Sequence, residues 1–162
     1  MLAIAIAALL PALAWGDDVR PAPAFLEHDP QDVLAAVARR MHIRLQPFVP
    51  LPAIHLESRT PLEQLQRVAE RQWGTRPREF MNVYVAEENA IYLIDDTGHL
   101  AHRHGTLDDA LAHELVHYLQ ANYRKDGFST EWSEVEALRV QAWFRQTFMA
   151  KRLSRNDARF SP

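Results

Sequence analysis

Apolar residues recur every three or four positions in four stretches of the chain, the spacing that aligns them on one face of a helix. The predicted helices cover about residues 30–42, 60–74, 106–123 and 130–153. Asp29, Thr60 and Thr106 each stand at the start of a stretch, where a side-chain oxygen suits the helix N-cap. Gly74 closes the second stretch, as expected for a left-handed cap at a helix C-terminus.

Three shorter stretches have the alternation, or the β-branched and aromatic composition, of strands. Residues 53–57 alternate and follow a proline-rich segment that excludes a helix. Val83–Val85 and Ile91–Ile94 are separated by a short polar run, so they predict a hairpin. Residues 95–105 are predicted to form a polar loop. These elements predict an α+β fold in which helices pack on a short β-hairpin or sheet.

The first 14 residues are almost entirely apolar and end in Ala12-Leu13-Ala14, a small-x-small pattern typical of a signal-peptide cleavage site. No lysine or arginine precedes the apolar run, so a core helix remains the alternative. The run is shorter than the roughly 20 residues that span a bilayer, and we expect no stable membrane span in the mature chain. Residues 15–29 are predicted to be a linker or extended arm. The sequence thus predicts an exported protein, periplasmic or secreted.

Composition narrows the chemistry that the rest of the chain can carry. Its 162 residues, 48% of them hydrophobic, allow one domain with a real core, which we place at residues 30–162. The formal net charge of -3 gives no reason to expect nucleic acid as a partner. The chain has no cysteine, which excludes disulfides, thiolate metal sites and cysteine nucleophiles. Any metal ion must be held by His, Asp or Glu.

One motif has the spacing of a metal site. Residues 113–117 read His-Glu-Leu-Val-His, and residues four apart lie on one face of a helix. His113 and His117 can therefore point at one ion, while Glu114 can reach a water bound to that ion. The flanking residues are apolar, and buried polar groups are costly unless something satisfies them. A metal ion would satisfy all three side chains.

A catalytic zinc site usually has a third protein ligand, and the last predicted helix offers Glu131, Glu134 and Glu136. The combination resembles the gluzincin branch of the zincin metallopeptidases, which carry His-Glu-x-x-His on one helix and Glu-x-x-Ala on a following helix. Glu134 to Ala137 match the second pattern. The resemblance covers residues 83–148 and implies a small zincin-like domain. It implies His113, His117 and Glu134 as ligands of one Zn²⁺, with Glu136 as the alternative third ligand.

The resemblance also implies roles for the neighbouring residues. Glu114 would be the general base that activates water for attack on a peptide or protein substrate. The strand before the motif helix would be an edge strand that pairs with extended substrate, a place taken by Ile91, Tyr92, Leu93 and Ile94. Such enzymes often place a His or Tyr opposite the base to stabilise the oxyanion, and the candidates here are Tyr118, Tyr123, His99, His102 and His104.

Three functions remain open at this point. The first is an exported zinc-dependent metallopeptidase. The second is a zinc-binding module of the same fold that serves in interaction or assembly without catalysis. The third is a helical structural protein in which the motif is accidental. The sequence names neither a substrate nor an oligomeric state.

Overall fold

The computed structural model describes residues 22–124 and 130–149, and it confirms an α+β architecture. The helices are α1 (Pro30–Arg40), α2 (Leu62–Trp73), α3 (Thr97–His102), α4 (Leu107–Tyr123) and α5 (Thr130–Phe144), with a 3-10 turn at Glu57–Arg59 and a π-helical turn at Arg145–Met149. The strands are β1 (Ala53–Leu56), β2 (Val83–Val85) and β3 (Ala90–Leu93). The predicted signal peptide, the start of the arm and the end of the last helix lie outside the described residues.

Local capping explains most of the helix boundaries. The Asp29 side chain accepts the backbone N–H of Gln31, and Thr106 forms a capping box with Asp109. Gly74 ends α2 with a left-handed φ of 70°. The predicted cap at Thr60 is wrong, because α2 begins at Leu62 after Pro61 and has no side-chain cap.

The predicted hairpin is confirmed, but its second strand is not an edge strand. β2 pairs antiparallel with β3, while β1 pairs parallel with β3 from the other side, giving the order β1-β3-β2. Ile91, Tyr92 and Leu93 therefore lie in the central strand, and Ile94 follows its end. They have no free edge for substrate, since β1 occupies it. Among the described strands, β1 and β2 lie at the two sides of the sheet.

The sheet separates two apolar layers, because successive side chains of a strand point to opposite faces. Ile91 and Leu93 pack into the larger core with α1, α4 and α5. Ala90 and Tyr92 pack on the other face, against Leu65 and Val68 of α2 among others. This arrangement holds α4 in the middle of the larger layer, in contact with both neighbouring helices and with the sheet.

The N-terminal arm is anchored to the start of α4. The buried carboxylate of Asp108 accepts the backbone N–H groups of Glu27 and His28, and it lies 2.8 Å from Nδ1 of His28. Pro23 also forms an isolated bridge with Asp96. The described part of the predicted arm thus has no helix, and its contacts satisfy a carboxylate that would otherwise be buried alone.

A short helix lies in the region predicted to be a loop. Asp96 caps α3 by accepting the backbone N–H of His99. Six residues with few apolar positions give too little periodicity to predict a helix. Among the described residues, no helix combines the length and the hydropathy needed to span a membrane.

Candidate metal centre

Two helices bring three possible metal ligands together. His113 and His117 project from adjacent turns of α4, and Glu134 reaches them from α5. Nε2 of His113 lies 3.2 Å from Nε2 of His117 and 3.4 Å from Oε1 of Glu134. Nε2 of His117 lies 3.3 Å from Oε2 of Glu134. These three side chains could hold a metal ion.

The spacing of the ligand atoms fits a small tetrahedral ion. Bonds of about 2.0 to 2.1 Å in a tetrahedron place ligand atoms about 3.3 to 3.4 Å apart. The separations of 3.2, 3.3 and 3.4 Å agree with that value, although the two imidazoles face different oxygens of Glu134. Two imidazole nitrogens whose lone pairs face each other at this distance are stabilised by a cation between them. The donor set therefore fits a metal ion.

Glu136, the alternative third ligand, is occupied elsewhere. Its carboxylate accepts both terminal nitrogens of Arg124, at 2.6 and 2.7 Å, and Nε2 of Gln120 at 3.0 Å. Burial works against its charge, but the hydrogen bonds from Arg124 and Gln120 outweigh burial and lower the pKa of Glu136. Two residues along a helix correspond to a rotation of about 200°, so Glu134 and Glu136 point away from each other.

Glu114 is buried beside the ligands, with 4% of its surface exposed. The backbone N–H of Tyr84, on strand β2, donates a hydrogen bond to its carboxylate. Burial raises the pKa of Glu114 to about 8, the Tyr84 hydrogen bond acts in the opposite direction, and the charge of Glu134 raises it further. In the protein without metal, Glu114 is therefore mostly protonated at neutral pH.

The environment of His113 favours its neutral form, which is the form that binds metal. Burial lowers the pKa of His113, and the neighbouring His117 lowers it again. Glu134 and a hydrogen bond with Gln141 act in the opposite direction without reversing the shift. The site therefore keeps this imidazole available as a ligand near neutral pH.

Two cavities flank the group. Both border His113, Glu114 and Glu134, so the metal-binding group lies between them. The α3-side cavity is also lined by Phe80, His99, Leu100, Arg103 and Leu138, among others. The α2-side cavity is also lined by Gln72, Trp73, Val83, Tyr84 and Ala86.

The α3-side cavity has a volume of about 560 Å³ and the α2-side cavity about 700 Å³. Three large apolar side chains of these walls are exposed: Trp73, Met81 and Leu138, at 45%, 42% and 52%. Exposed apolar groups that line a cavity are typical of a surface that contacts another molecule. The three possible ligands therefore lie between two cavities whose walls include exposed apolar side chains.

The predicted oxyanion residues are not brought to the group. Tyr118 is buried and its hydroxyl donates to the backbone oxygen of Pro50, while the hydroxyl of Tyr123 accepts the N–H of Gln46. Tyr118 lies about 100° round the helix from His117, which turns it into the core. His102 and His104 are exposed and line neither cavity. Of these candidates, only His99 borders the α3-side cavity.

Sequence reasoning missed the residues behind the ligands. Oε1 of Gln120 lies 3.0 Å from Nδ1 of His117, and Gln141 is hydrogen-bonded to His113. Gln120 is a buried polar residue one turn after His117 in a mostly apolar helix, a signal that was available in the sequence. Gln141 lies on α5, and no spacing rule connects it with the motif.

Comparison with known proteins adds no family to these observations. A scan against protein-family models finds no match, and searches of curated proteins and of solved structures find no significant match either. The chemistry of this site therefore has to follow from its own side chains and their geometry.

Proposed function

We propose that this protein is a zinc-dependent peptide-bond hydrolase of the gluzincin type. The observation that carries the proposal is the convergence of His113, His117 and Glu134 within 3.2 to 3.4 Å of one another, with Glu114 buried beside them. Two imidazoles, a carboxylate ligand and an adjacent acid/base residue are the parts that metal-assisted hydrolysis needs. The small α+β fold is compatible with a zincin-like domain.

The ligand set supports zinc as the metal. Imidazole nitrogen suits Zn²⁺, and a site with two histidines and one glutamate leaves a fourth position for water or substrate. Glu134 is half exposed, with 51% of its side chain accessible, so the ligand group faces an open cleft. This access favours a catalytic site over a closed structural site.

Zinc bound here would polarise the substrate carbonyl and lower the pKa of bound water toward neutrality. Glu114 would accept the proton of the attacking water and pass it to the leaving amine. Its raised pKa, about 8 without metal, is suited to a group that must both take and give a proton near neutral pH. The N–H of Tyr84 holds the carboxylate in place during both steps.

Strand β2 supports a peptide as the substrate. It pairs only with β3 among the described strands, and it lines the α2-side cavity with Val83 and Tyr84. On its outer edge the N–H of Tyr84 is bonded to Glu114. A peptide that adds to this edge in extended form would run past Glu114. The substrate-binding strand of the proposal is therefore β2, in place of the residues 91–94.

Export remains part of the proposal and depends on residues 1–14 alone. Expression of the full chain in a bacterial host with intact secretion would test it. We expect the mature protein outside the cytoplasm, with an N-terminus near Trp15 by mass spectrometry. An uncleaved product confined to the cytoplasm would contradict export without affecting the metal site.

Cleavage of a peptide mixture by the purified protein tests the enzymatic proposal. We expect the zinc-loaded protein to cut internal peptide bonds, a chelator to abolish the activity, and added zinc to restore it. Zinc binding without any cleavage would contradict the hydrolase and support the interaction module of the same fold. Failure to bind zinc would contradict both and leave the motif accidental.

A further inference from the structure

The imidazole of His117 has a glutamine behind it. Its Nδ1 lies 3.0 Å from Oε1 of Gln120, three residues further along α4. Nε2 of Gln120 donates to the backbone oxygen of Ser133 and to the carboxylate of Glu136, both at 3.0 Å. Arg124 holds that carboxylate with two hydrogen bonds. A continuous chain thus runs from the imidazole to an arginine.

These contacts determine the orientation of the carboxamide and, with it, the tautomer of the imidazole. A backbone oxygen and an ionised carboxylate can only accept hydrogen bonds, so the NH₂ group of Gln120 must face Ser133 and Glu136. Its oxygen therefore faces Nδ1 of His117. Since that oxygen can only accept, Nδ1 must carry the proton, which leaves the lone pair on Nε2.

A second series of hydrogen bonds, through the same kinds of side chain, begins at His113. Gln141 of α5 hydrogen-bonds the His113 ring and donates from Nε2 to Oδ1 of Asp109 at 3.0 Å. Asp109 is buried, and Arg145 holds its carboxylate from Nε at 2.8 Å and from a terminal nitrogen at 3.2 Å. Each imidazole is therefore followed by a glutamine, a carboxylate and an arginine.

We propose that Gln120 and Gln141 are positioning residues that hold the two imidazoles in the tautomer and orientation required for metal binding. Hydrogen bonds from such neighbours orient the metal ligands, and their loss commonly lowers metal affinity about 10- to 100-fold. Each glutamine is neutral, and each carboxylate behind it is paired with an arginine. The two chains thus orient the imidazoles without placing an unpaired negative charge against them. The positioning role of the two glutamines rests on the proposed metal centre. The tautomer of His117, in contrast, is a property of the metal-free protein.

Long-range ¹H–¹⁵N NMR of the metal-free protein, recorded above the titration range of imidazole, tests the first step. We expect His117 in the Nδ1–H form in the wild type. Gln120→Met removes the acceptor at similar volume and should return His117 to a mixture containing the Nε2–H form, while Gln146→Met, at an exposed glutamine, should not. An unchanged tautomer in Gln120→Met would overturn the inference, whether or not the protein binds zinc.

Zinc affinity, measured by competition with a chromophoric chelator, tests the second step. We expect Gln120→Met and Gln141→Met each to raise the Kd about 10- to 100-fold. Gln146→Met should leave it unchanged. If Gln120→Met fails to fold, Gln141→Met and Arg124→Met test the two chains separately, because both leave Gln120 in place. Wild-type affinity in the folded glutamine variants would overturn the positioning role. Absence of zinc binding in the wild type would instead overturn the proposed function, with the tautomer result still standing.

Discussion

The backbone N–H of Tyr84 donates a hydrogen bond to the carboxylate of Glu114 and so ties the proposed acid/base residue of α4 to strand β2. This contact places the buried carboxylate at the outer edge of β2, beside His113 and Glu134. A substrate strand on that edge would lie next to the group that activates water.

Replacement of Glu114 by glutamine should separate metal binding from catalysis. The amide oxygen can still accept the Tyr84 N–H, and the three proposed ligands are unchanged. We expect unchanged zinc affinity and a loss of peptide hydrolysis of at least about 100-fold, because an amide cannot accept the proton of water. Hydrolysis at the wild-type rate would show that Glu114 is not the base.

The stability of the metal-free protein should depend on the proton of Glu114. The pKa of Glu114 is about 8 in the folded protein, against an ordinary value of 4.5. Between these pH values the folded state therefore binds one proton more than the unfolded state. Stability therefore falls as pH rises toward 8. The lowered pKa of His113 acts in the opposite direction, but only below its ordinary value of 6.5.

Denaturant unfolding of the chelated protein at several pH values measures this dependence. Between pH 6.5 and 8, the stability of the wild type relative to Glu114→Gln should fall by about 2 kcal/mol, at up to roughly 1.4 kcal/mol per pH unit. A constant difference across this range would mean that Glu114 is ionised in the folded protein.

The two neighbouring glutamates of α5 should differ in their effect on metal binding. Glu134→Gln removes a proposed ligand and should raise the zinc Kd by more than the roughly 100-fold that a contact behind a ligand contributes. Glu136→Gln disturbs only the contacts with Gln120 and Arg124. We expect it to raise the zinc Kd by at most about 10-fold. The reverse order, measured by chelator competition, would make Glu136 the ligand.

The exposed apolar residues of the two cavities should contribute to substrate binding. Trp73→Ala removes a 45% exposed side chain from the wall of the α2-side cavity. Leu138→Ala removes a 52% exposed side chain from the wall of the α3-side cavity. We expect each to raise KM about 10-fold with little change in kcat, since such contacts are made before the transition state as well as in it. Phe48→Ala, at an 80% exposed residue that lines neither cavity, is the control. Equal effects in all three variants would argue against a role for the cavities.

The pair between Arg145 and Asp109 should stabilise the fold. Arg145→Met leaves the buried carboxylate of Asp109 with fewer donors, at a cost of about 1 to 3 kcal/mol in the free energy of unfolding. Arg139→Met, at an exposed arginine of α5, should change the free energy of unfolding by less than about 0.5 kcal/mol. Urea unfolding of the two variants would contradict this expectation if their midpoints coincide.

The fold was predictable where a local signal determined it. Periodicity and caps placed α1 and α4 to within a few residues, and the two β-rich runs placed the hairpin. The parallel pairing of β1 with β3 was not predictable, because α2 and β2 separate these strands and no local pattern records their contact. That pairing is what made the edge-strand prediction wrong.

The residues of the site also fall into those that a local sequence pattern predicts and those that depend on packing. Helical spacing alone places His113 and His117 on one face, whereas the choice of Glu134 over Glu136 depends on how α5 packs against α4. The burial of Tyr118 follows from the contacts of α4 with its neighbours on several sides, which a motif does not contain. Gln141 becomes part of the site only through the packing of two helices.

X-ray absorption at the zinc edge, on protein loaded with one equivalent of zinc, tests the metal centre most directly. The account predicts one tightly bound ion with two imidazole ligands and oxygen ligands at about 2.0 to 2.2 Å, and loss of that signal in His117→Ala. A spectrum with water ligands only, or one that His117→Ala leaves unchanged, would contradict it.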